Sequence, residues 1–350
     1  MTPGDLTSLC FNFHDIVGFK LLTGDSEAAQ FFSAEYQLHQ VEALPDGIPQ
    51  VILIFHRLDG KLPEGLVWHR HKLLAKWAYT IKIGPEKVMI DAYGNHLSVP
   101  MIHHMLVHPS LRYLASFQNI IMLHAGAVAY QGRSLVLTGK GGVGKTTITS
   151  LLLSRGDAGW AVQADDYVFL TPQGESLAYL TRAHLYRSLL RPIPEIWHML
   201  TVKEKFELEI WRLIRGLSRG QVKWPVRVSL TRLWPGHPVV RRAVPVGLVV
   251  LQRNGREHPG LWRADVEKAP VDDLLELNFS EARHYLDLTR QCMPDEEWQT
   301  FVAGWRQRER QILLRCIEKI PVYELVIQAG EQIQDHPEWF EALARLVKTG

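Results

Sequence analysis

Over the first hundred residues, short apolar runs alternate with turns: Val51-Ile52-Leu53-Ile54-Phe55, Ala78-Tyr79-Thr80-Ile81-Lys82-Ile83, a Gly84-Pro85 break, and Val88-Met89-Ile90-Asp91-Ala92. Runs of this length and character predict strands, and the last two, parted by Gly-Pro, predict a hairpin. A helical pattern over 99–116, broken at Pro109, leads onward. Two more strands, 120–130 and 134–138, flank a tight turn at Gln131-Gly132-Arg133. Residues 147–155 then read as a helix stopping near Gly156, 161–164 as a buried strand ending at Asp165-Asp166, and 167–170 as resumed strand. From 182 to 221 the pattern is helical or irregular, with a break at Pro192 and Pro194 and an amphipathic helix over 206–217. A strand over 246–251, helices around 271–277 and 295–317, a strand over 322–327 and a closing helix after Pro337 complete the chain, which shows no internal repeat.

Strands alternating with helices predict an α/β fold. The 350 residues, 46% hydrophobic, can bury a sizeable core and accommodate two domains. The expected division is a small β-rich N-terminal domain with its connecting helix over 1–116, and an α/β domain over 117–350 with a helical insert at about 181–242. No apolar run approaches the roughly 18 residues of a membrane span, and Met1-Thr2-Pro3-Gly4-Asp5 lacks the basic start of a secretory signal. The expectation is a soluble cytoplasmic protein with no membrane partner. Cys10, Cys292 and Cys316 are isolated and odd in number, as expected of reduced structural thiols. His104 and His108, with His103 beside them, have the i, i+4 spacing of a metal-binding helix face, but no third ligand accompanies them.

A net charge of +2 conceals an uneven distribution, for residues 181–260 hold fifteen Lys/Arg against five Asp/Glu. A basic middle suits an acidic protein or peptide partner, a nucleotide, or nucleic acid. Nucleic acid is disfavoured by the absence of finger spacing or an RNP-type aromatic motif.

The most specific chemical signal is Gly139-Lys140-Gly141-Gly142-Val143-Gly144-Lys145-Thr146-Thr147, which fits G-x-x-x-x-G-K-[ST] between a predicted strand and a predicted helix. In such a loop the glycines let backbone N–H groups wrap phosphates at the positive end of the helix dipole. Lys145 addresses phosphate and Thr146 addresses Mg²⁺. Phosphoryl transfer also needs a carboxylate near the metal and a group to receive the acceptor's proton. Asp165 and Asp166, adjacent on an extended segment, should point to different sides and divide those two tasks.

The ordered series Leu123-His124-Ala125, the hairpin through Gly132, the glycine-rich loop, Arg155-Gly156 and Ala164-Asp165-Asp166 resembles the core of the HPr kinase/phosphorylase family and the related kinases found with lasso-peptide biosynthesis. The close match covers roughly residues 123–170. The resemblance implies a P-loop-containing HPr kinase-like core that uses ATP and Mg²⁺ to phosphorylate a serine or threonine of a protein or peptide. It implies Asp165 as catalytic acid/base with His124 near it, Asp166 by the metal with Thr146, and Lys145 on the phosphates. The bifunctional enzymes carry a serine in the loop where Lys140-Gly141-Gly142 stands here. Their Glu-x-Arg-Gly-Leu-Gly stretch is echoed only by Arg215-Gly216-Leu217-Ser218, with Leu213 in place of the metal-binding glutamate and Glu195 a distant substitute. HPr itself as substrate is thereby in doubt.

The same loop is similar to the deviant phosphate loop of ParA/MinD-type ATPases, whose extra lysine corresponds to Lys140. Those proteins usually place the loop near the N-terminus and continue to an Asp-x-Asp strand, whereas 138 residues precede it here and the aspartates are adjacent. A third reading is an ATP-binding scaffold that transfers no phosphate. The acceptor and any assembly into a homo-oligomer are left open by the sequence.

Overall fold

The computed structural model describes residues 6–58, 64, 66–71, 75–219, 224–253, 259–264, 270–328, 331 and 333–349, with backbone alone at 69–71. The fold is mixed α/β and divides into two units, one of Met1–Met122 with Leu275–Ile312, the other of Leu123–Leu274 with Leu313–Gly350.

In the first unit, β1 (Thr7–Phe13), β2 (Val17–Thr23), β3 (Gln40–Val41), β4 (Gln50–Arg57), β5 (Val67–His71), β6 (Ala75–Ile83) and β7 (Lys87–Gly94) form one sheet in the order β3-β1-β2-β4-β7-β6-β5. The Gly84-Pro85 hairpin is present, with Ile83 opposite Val88. Along β4, Val51, Leu53 and Phe55 are buried while Ile52 and Ile54 are half-buried, the period of two expected when one sheet face is packed more tightly. Helix α1 (Ser26–Glu35) starts on an Asp25 cap that accepts from the Ala28 N–H.

The helix predicted over 99–116 runs through Pro109 instead of breaking there. It comprises α2 (Val99–Ile102), a wide turn (His103–Val107) and α3 (His108–Phe117). Proline crowds the carbonyl four residues back, and the chain accommodates it by widening the preceding turn, so that the His108 N–H reaches the His103 carbonyl. The wider turn changes which histidines meet. His103 and His108 are buried with Nε2 atoms 2.8 Å apart, and His103 Nε2 is also hydrogen-bonded to the Tyr36 hydroxyl at 2.8 Å. The His104 and His108 ring centroids are 6.2 Å apart. Among the described residues, no group of three or more His, Cys, Asp or Glu is arranged to hold a metal ion.

Residues 275–312, expected with the second domain, belong to the first unit. The cause is a buried polar contact that sequence spacing does not reveal. Arg112 Nε donates to Glu309 Oε1 at 2.6 Å and Arg112 Nη1 to the Asn278 carbonyl at 2.5 Å, with Phe279 and Trp305 over the guanidinium. A buried charge must be paired, and this pairing ties helix to helix.

The second unit contains β8 (Ile121–Tyr130), β9 (Arg133–Gly139), β10 (Trp160–Ala164), β11 (Tyr167–Leu170), β12 (Ser176–Tyr179), β13 (Ala183–Leu185), β14 (Val226–Val228), β15 (Arg242–Arg253), β16 (Gly260–Arg263) and β17 (Val322–Ile327). β9 and β17 lie parallel to β15, while β8 is antiparallel to both β9 and β10. The β11–β12 hairpin reaches the start of β15 through Ser176 and Ala243. β13 and β14 form a separate two-stranded ribbon.

The helices of the chain continue with α4 (Lys145–Arg155), α5 (Ile196–Met199), α6 (Val202–Leu217), α7 (Leu230–Leu233), α8 (Val271–Glu281), α9 (Arg283–Arg290), α10 (Asp295–Ile317) and α11 (Pro337–Thr349). The insert at 181–242 is thus closed by a strand pair as well as built from helices, and Gly220 and Gln221 lie outside the described residues. Helix α6 begins four residues before the predicted 206, on a capping box in which Thr201 and Glu204 satisfy each other's backbone N–H groups. The three cysteines are free. No helix among the described residues is long and apolar enough to cross a membrane.

Candidate active site

Strand β9 ends where its parallel pairing with β15 ends, at Gly139 opposite Leu251. A Cβ on Gly139 would stand 2.7 Å from the Leu251 carbonyl oxygen, and the residue has φ +150°. Only glycine lets the strand leave the sheet there. Gly144, at φ +123°, ends the loop, and its carbonyl accepts the Ile148 N–H at 2.9 Å as α4 begins. The first N–H groups of α4 are therefore presented at the loop. Gly139→Ala should lower stability by about 1–3 kcal/mol through backbone strain and the carbonyl clash. A melting temperature equal to that of the parent would show that the strand exit tolerates a side chain.

Lys145 opens α4 and folds back over the loop, its Nζ donating to the Gly139 carbonyl at 2.7 Å with the side chain buried. Val143 is buried beneath the loop, while Lys140, Gly141 and Gly142 are exposed at its rim and Thr146 and Thr147 are half-buried. The Thr146 hydroxyl donates to the Asp165 carboxylate, whose Oδ2 also accepts the His184 N–H at 3.2 Å.

Asp165 and Asp166 form a bend between the end of β10 and the start of β11, where the sequence predicts an extended segment. The Asp166 carbonyl accepts the Ala125 N–H at 2.9 Å, which fixes the pair against β8. Asp166 Oδ1 lies 3.1 Å from His124 Nε2, and the buried His124 packs its ring against Tyr167. Thr138, in β9, donates its hydroxyl to the His124 carbonyl at 3.0 Å and holds that stretch of β8 in place.

His124 is thus hydrogen-bonded to Asp166 and Thr146 to Asp165, whereas the family resemblance implies His124 near Asp165 and Asp166 by the metal with Thr146. The pairing of β10 with β8 shifts register between Val162 and Ala164, just before the acid pair.

Burial and the adjacent negative charge of Asp166 push the Asp165 carboxyl from 3.8 up to about 6, against the opposing pull of the His184 N–H, the Thr146 hydroxyl and the Lys145 charge. Burial and then the charge of Asp166 likewise raise the Tyr186 phenol.

Three residues of this neighbourhood escape a reading of the sequence: His184, Tyr186 and Arg227. His184 acts on Asp165 through its backbone, which leaves no signature in residue type. Arg227 lies in the basic middle, the one hint available. Glu195 and Leu213 are both exposed.

The site offers backbone donors and an ammonium at the loop, a hydroxyl hydrogen-bonded to one carboxylate, and a second carboxylate hydrogen-bonded to an imidazole. Hydroxyl and carboxylate oxygens side by side are hard ligands of the kind Mg²⁺ takes, with water filling the remaining positions. No family model matches the chain, and no curated protein matches it.

Proposed function

We propose that the protein is an ATP-dependent phosphotransferase with an HPr kinase-like core, moving the γ-phosphoryl group to a serine or threonine hydroxyl of a protein or peptide. The observation that carries this reading is the Thr146 hydroxyl on the Asp165 carboxylate at the start of the helix that follows the glycine-rich loop, with Lys145 folded over that loop and the Asp166–His124 pair alongside.

In this reading Gly139 to Gly144 and the first N–H groups of α4 cradle the donor phosphates, and Lys145 neutralises their charge. Thr146 and Asp165 would hold Mg²⁺, which would neutralise charge on the donor phosphates. Asp166 accepts the proton of the attacking hydroxyl, oriented by its hydrogen bond to His124. The acceptor oxygen forms its bond to phosphorus as the bond from phosphorus to the bridging oxygen of ADP breaks. Basic residues between 181 and 260 draw in an acidic acceptor.

Incubation with γ-labelled ATP and host extract, followed by mass spectrometry, should yield a labelled seryl or threonyl protein or peptide. Release of labelled phosphate alone would instead favour a ParA/MinD-like switch, which the exposed position of Lys140 at the loop rim would suit. Lys140→Ala separates the two: a switch should lose ATP-dependent dimerisation, whereas the kinase should keep nucleotide binding within about twofold, a change under ~0.5 kcal/mol.

A further inference from the structure

Helix α6 carries apolar residues on two opposite faces. On one face Leu208 is buried, the Trp211 ring stacks on Trp224 with centroids 5.4 Å apart, and Glu204 pairs with Arg232. These contacts fasten the helix to the rest of the insert. The other face is open to water: Val202 is 84% exposed, Phe206 66%, Leu213 58% and Leu217 87%. At 3.6 residues per turn these four side chains fall within about 60° of one another and extend over about 22 Å of helix. Met199, just ahead of the helix, is also exposed. A continuous apolar stripe left in water marks a surface that associates.

The spacing identifies what covers it. From Val202 to Phe206, Leu213 and Leu217 the steps are four, seven and four residues, the same in either direction. A second α6 laid antiparallel on the first therefore sets Val202 against Leu217 and Phe206 against Leu213, and each pair recurs on the other side of the axis. A two-fold interface requires that reciprocity. The charges suit the same arrangement. The midpoint of the stripe falls between Glu209 and Ile210, so Arg212 of each copy comes beside Glu209 of the other. Within one copy Arg212 Nε already donates to Glu209 Oε2 at 2.7 Å. Lys203, Lys205, Arg212 and Arg215 are nearly balanced by Glu204, Glu207 and Glu209, unlike the strongly cationic polar face of a helix that lies on anionic lipid. We propose that the exposed face of α6 is the interface of an antiparallel two-fold dimer of this chain. The inference stands apart from the phosphotransferase chemistry and needs no nucleotide.

The test is sedimentation of the full chain without nucleotide, over about 1–200 µM, the range in which a dimer of modest affinity dissociates. The parent should pass from monomer to dimer within it. Phe206→Glu and Leu213→Glu should each raise the dissociation constant by about a hundredfold or more, because every substitution is felt twice across the axis. Both positions are exposed, so the melting temperatures of the dilute variants should match that of the parent and separate association from folding. In a second measurement, chains carrying Phe206→Cys are mixed with chains carrying Leu213→Cys and treated with oxidised glutathione. The mixture should yield a disulfide-linked dimer, and neither variant alone should. A parent that stays monomeric throughout, glutamate variants that sediment as the parent does, or cross-linking of Phe206→Cys with itself would each overturn the antiparallel dimer. Binding to phosphatidylserine vesicles without self-association would overturn it in favour of a lipid surface.

Discussion

Lys145→Ala is expected to lower phosphoryl transfer by about 10²–10³-fold and to weaken ATP binding by about tenfold or more, because it removes a preorganised cation from a buried position. Its contact with the Gly139 carbonyl fixes the ammonium over the loop, so in the proposed reaction its charge would need little reorganisation. It also opposes the rise in the Asp165 carboxyl, and without it burial and Asp166 act on that group with less restraint. The variant should therefore show a second, electrostatic consequence, an Asp165 that holds its proton to still higher pH. Nucleotide titration and steady-state turnover measured on the same preparation decide the matter. Unchanged values in both would show that the loop does not cradle a donor.

The loop and its supporting strands are legible from the sequence because each rests on local pattern. The predicted strand at 322–327 and helix at 295–317 coincide with β17 and α10, and the predicted 134–138 differs from β9 by one residue at each end. Features that depend on long-range partners are not legible. Nothing near Arg112 in the sequence announces Glu309, yet that contact joins residues 275–312 to the first unit. The β1–β2 hairpin is hidden for a different reason: its turn uses His14 and Asp15, both at φ 59°, in place of the Asn-Gly or Asp-Gly pair that usually marks such a turn. Asp15 is stabilised there by the side chain of Asn12, whose Oδ1 accepts the Asp15 N–H at 3.0 Å and whose Nδ2 donates to Asp15 Oδ1 at 2.6 Å.

The acid pair shows the same limit at the site itself. Spacing after Lys145 identifies Asp165 and Asp166 as a unit. Which one meets Thr146 and which meets His124 depends on tertiary contacts that residue types do not encode. Replacing each aspartate in turn tests the order that the structure adopts.

Asp166→Asn keeps the side-chain volume and removes the proton acceptor, so turnover should fall by about 10²–10⁴-fold with ATP affinity held within about twofold. Asp165→Asn should act chiefly on the metal, raising the Mg²⁺ concentration needed for half-maximal turnover by about tenfold or more. It should also change stability in a pH-dependent way. The folded protein holds the Asp165 proton up to about pH 6, whereas an unperturbed carboxyl releases it near 3.8. Between those values the folded state binds more protons than the unfolded state, so folding stability declines as pH rises through the window. The full penalty is present above it and is absent below about pH 4. Asp165→Asn removes the buried charge and should therefore stabilise the protein by about 1–3 kcal/mol at pH 7 to 8, with the advantage disappearing under acid conditions. Thermal melts of parent and variant across pH 4 to 8 measure this directly. A gain independent of pH would contradict the raised carboxyl. If Asp165→Asn were the variant that lost turnover, and Asp166→Asn the one that altered the Mg²⁺ requirement, the roles would return to those implied by the family resemblance.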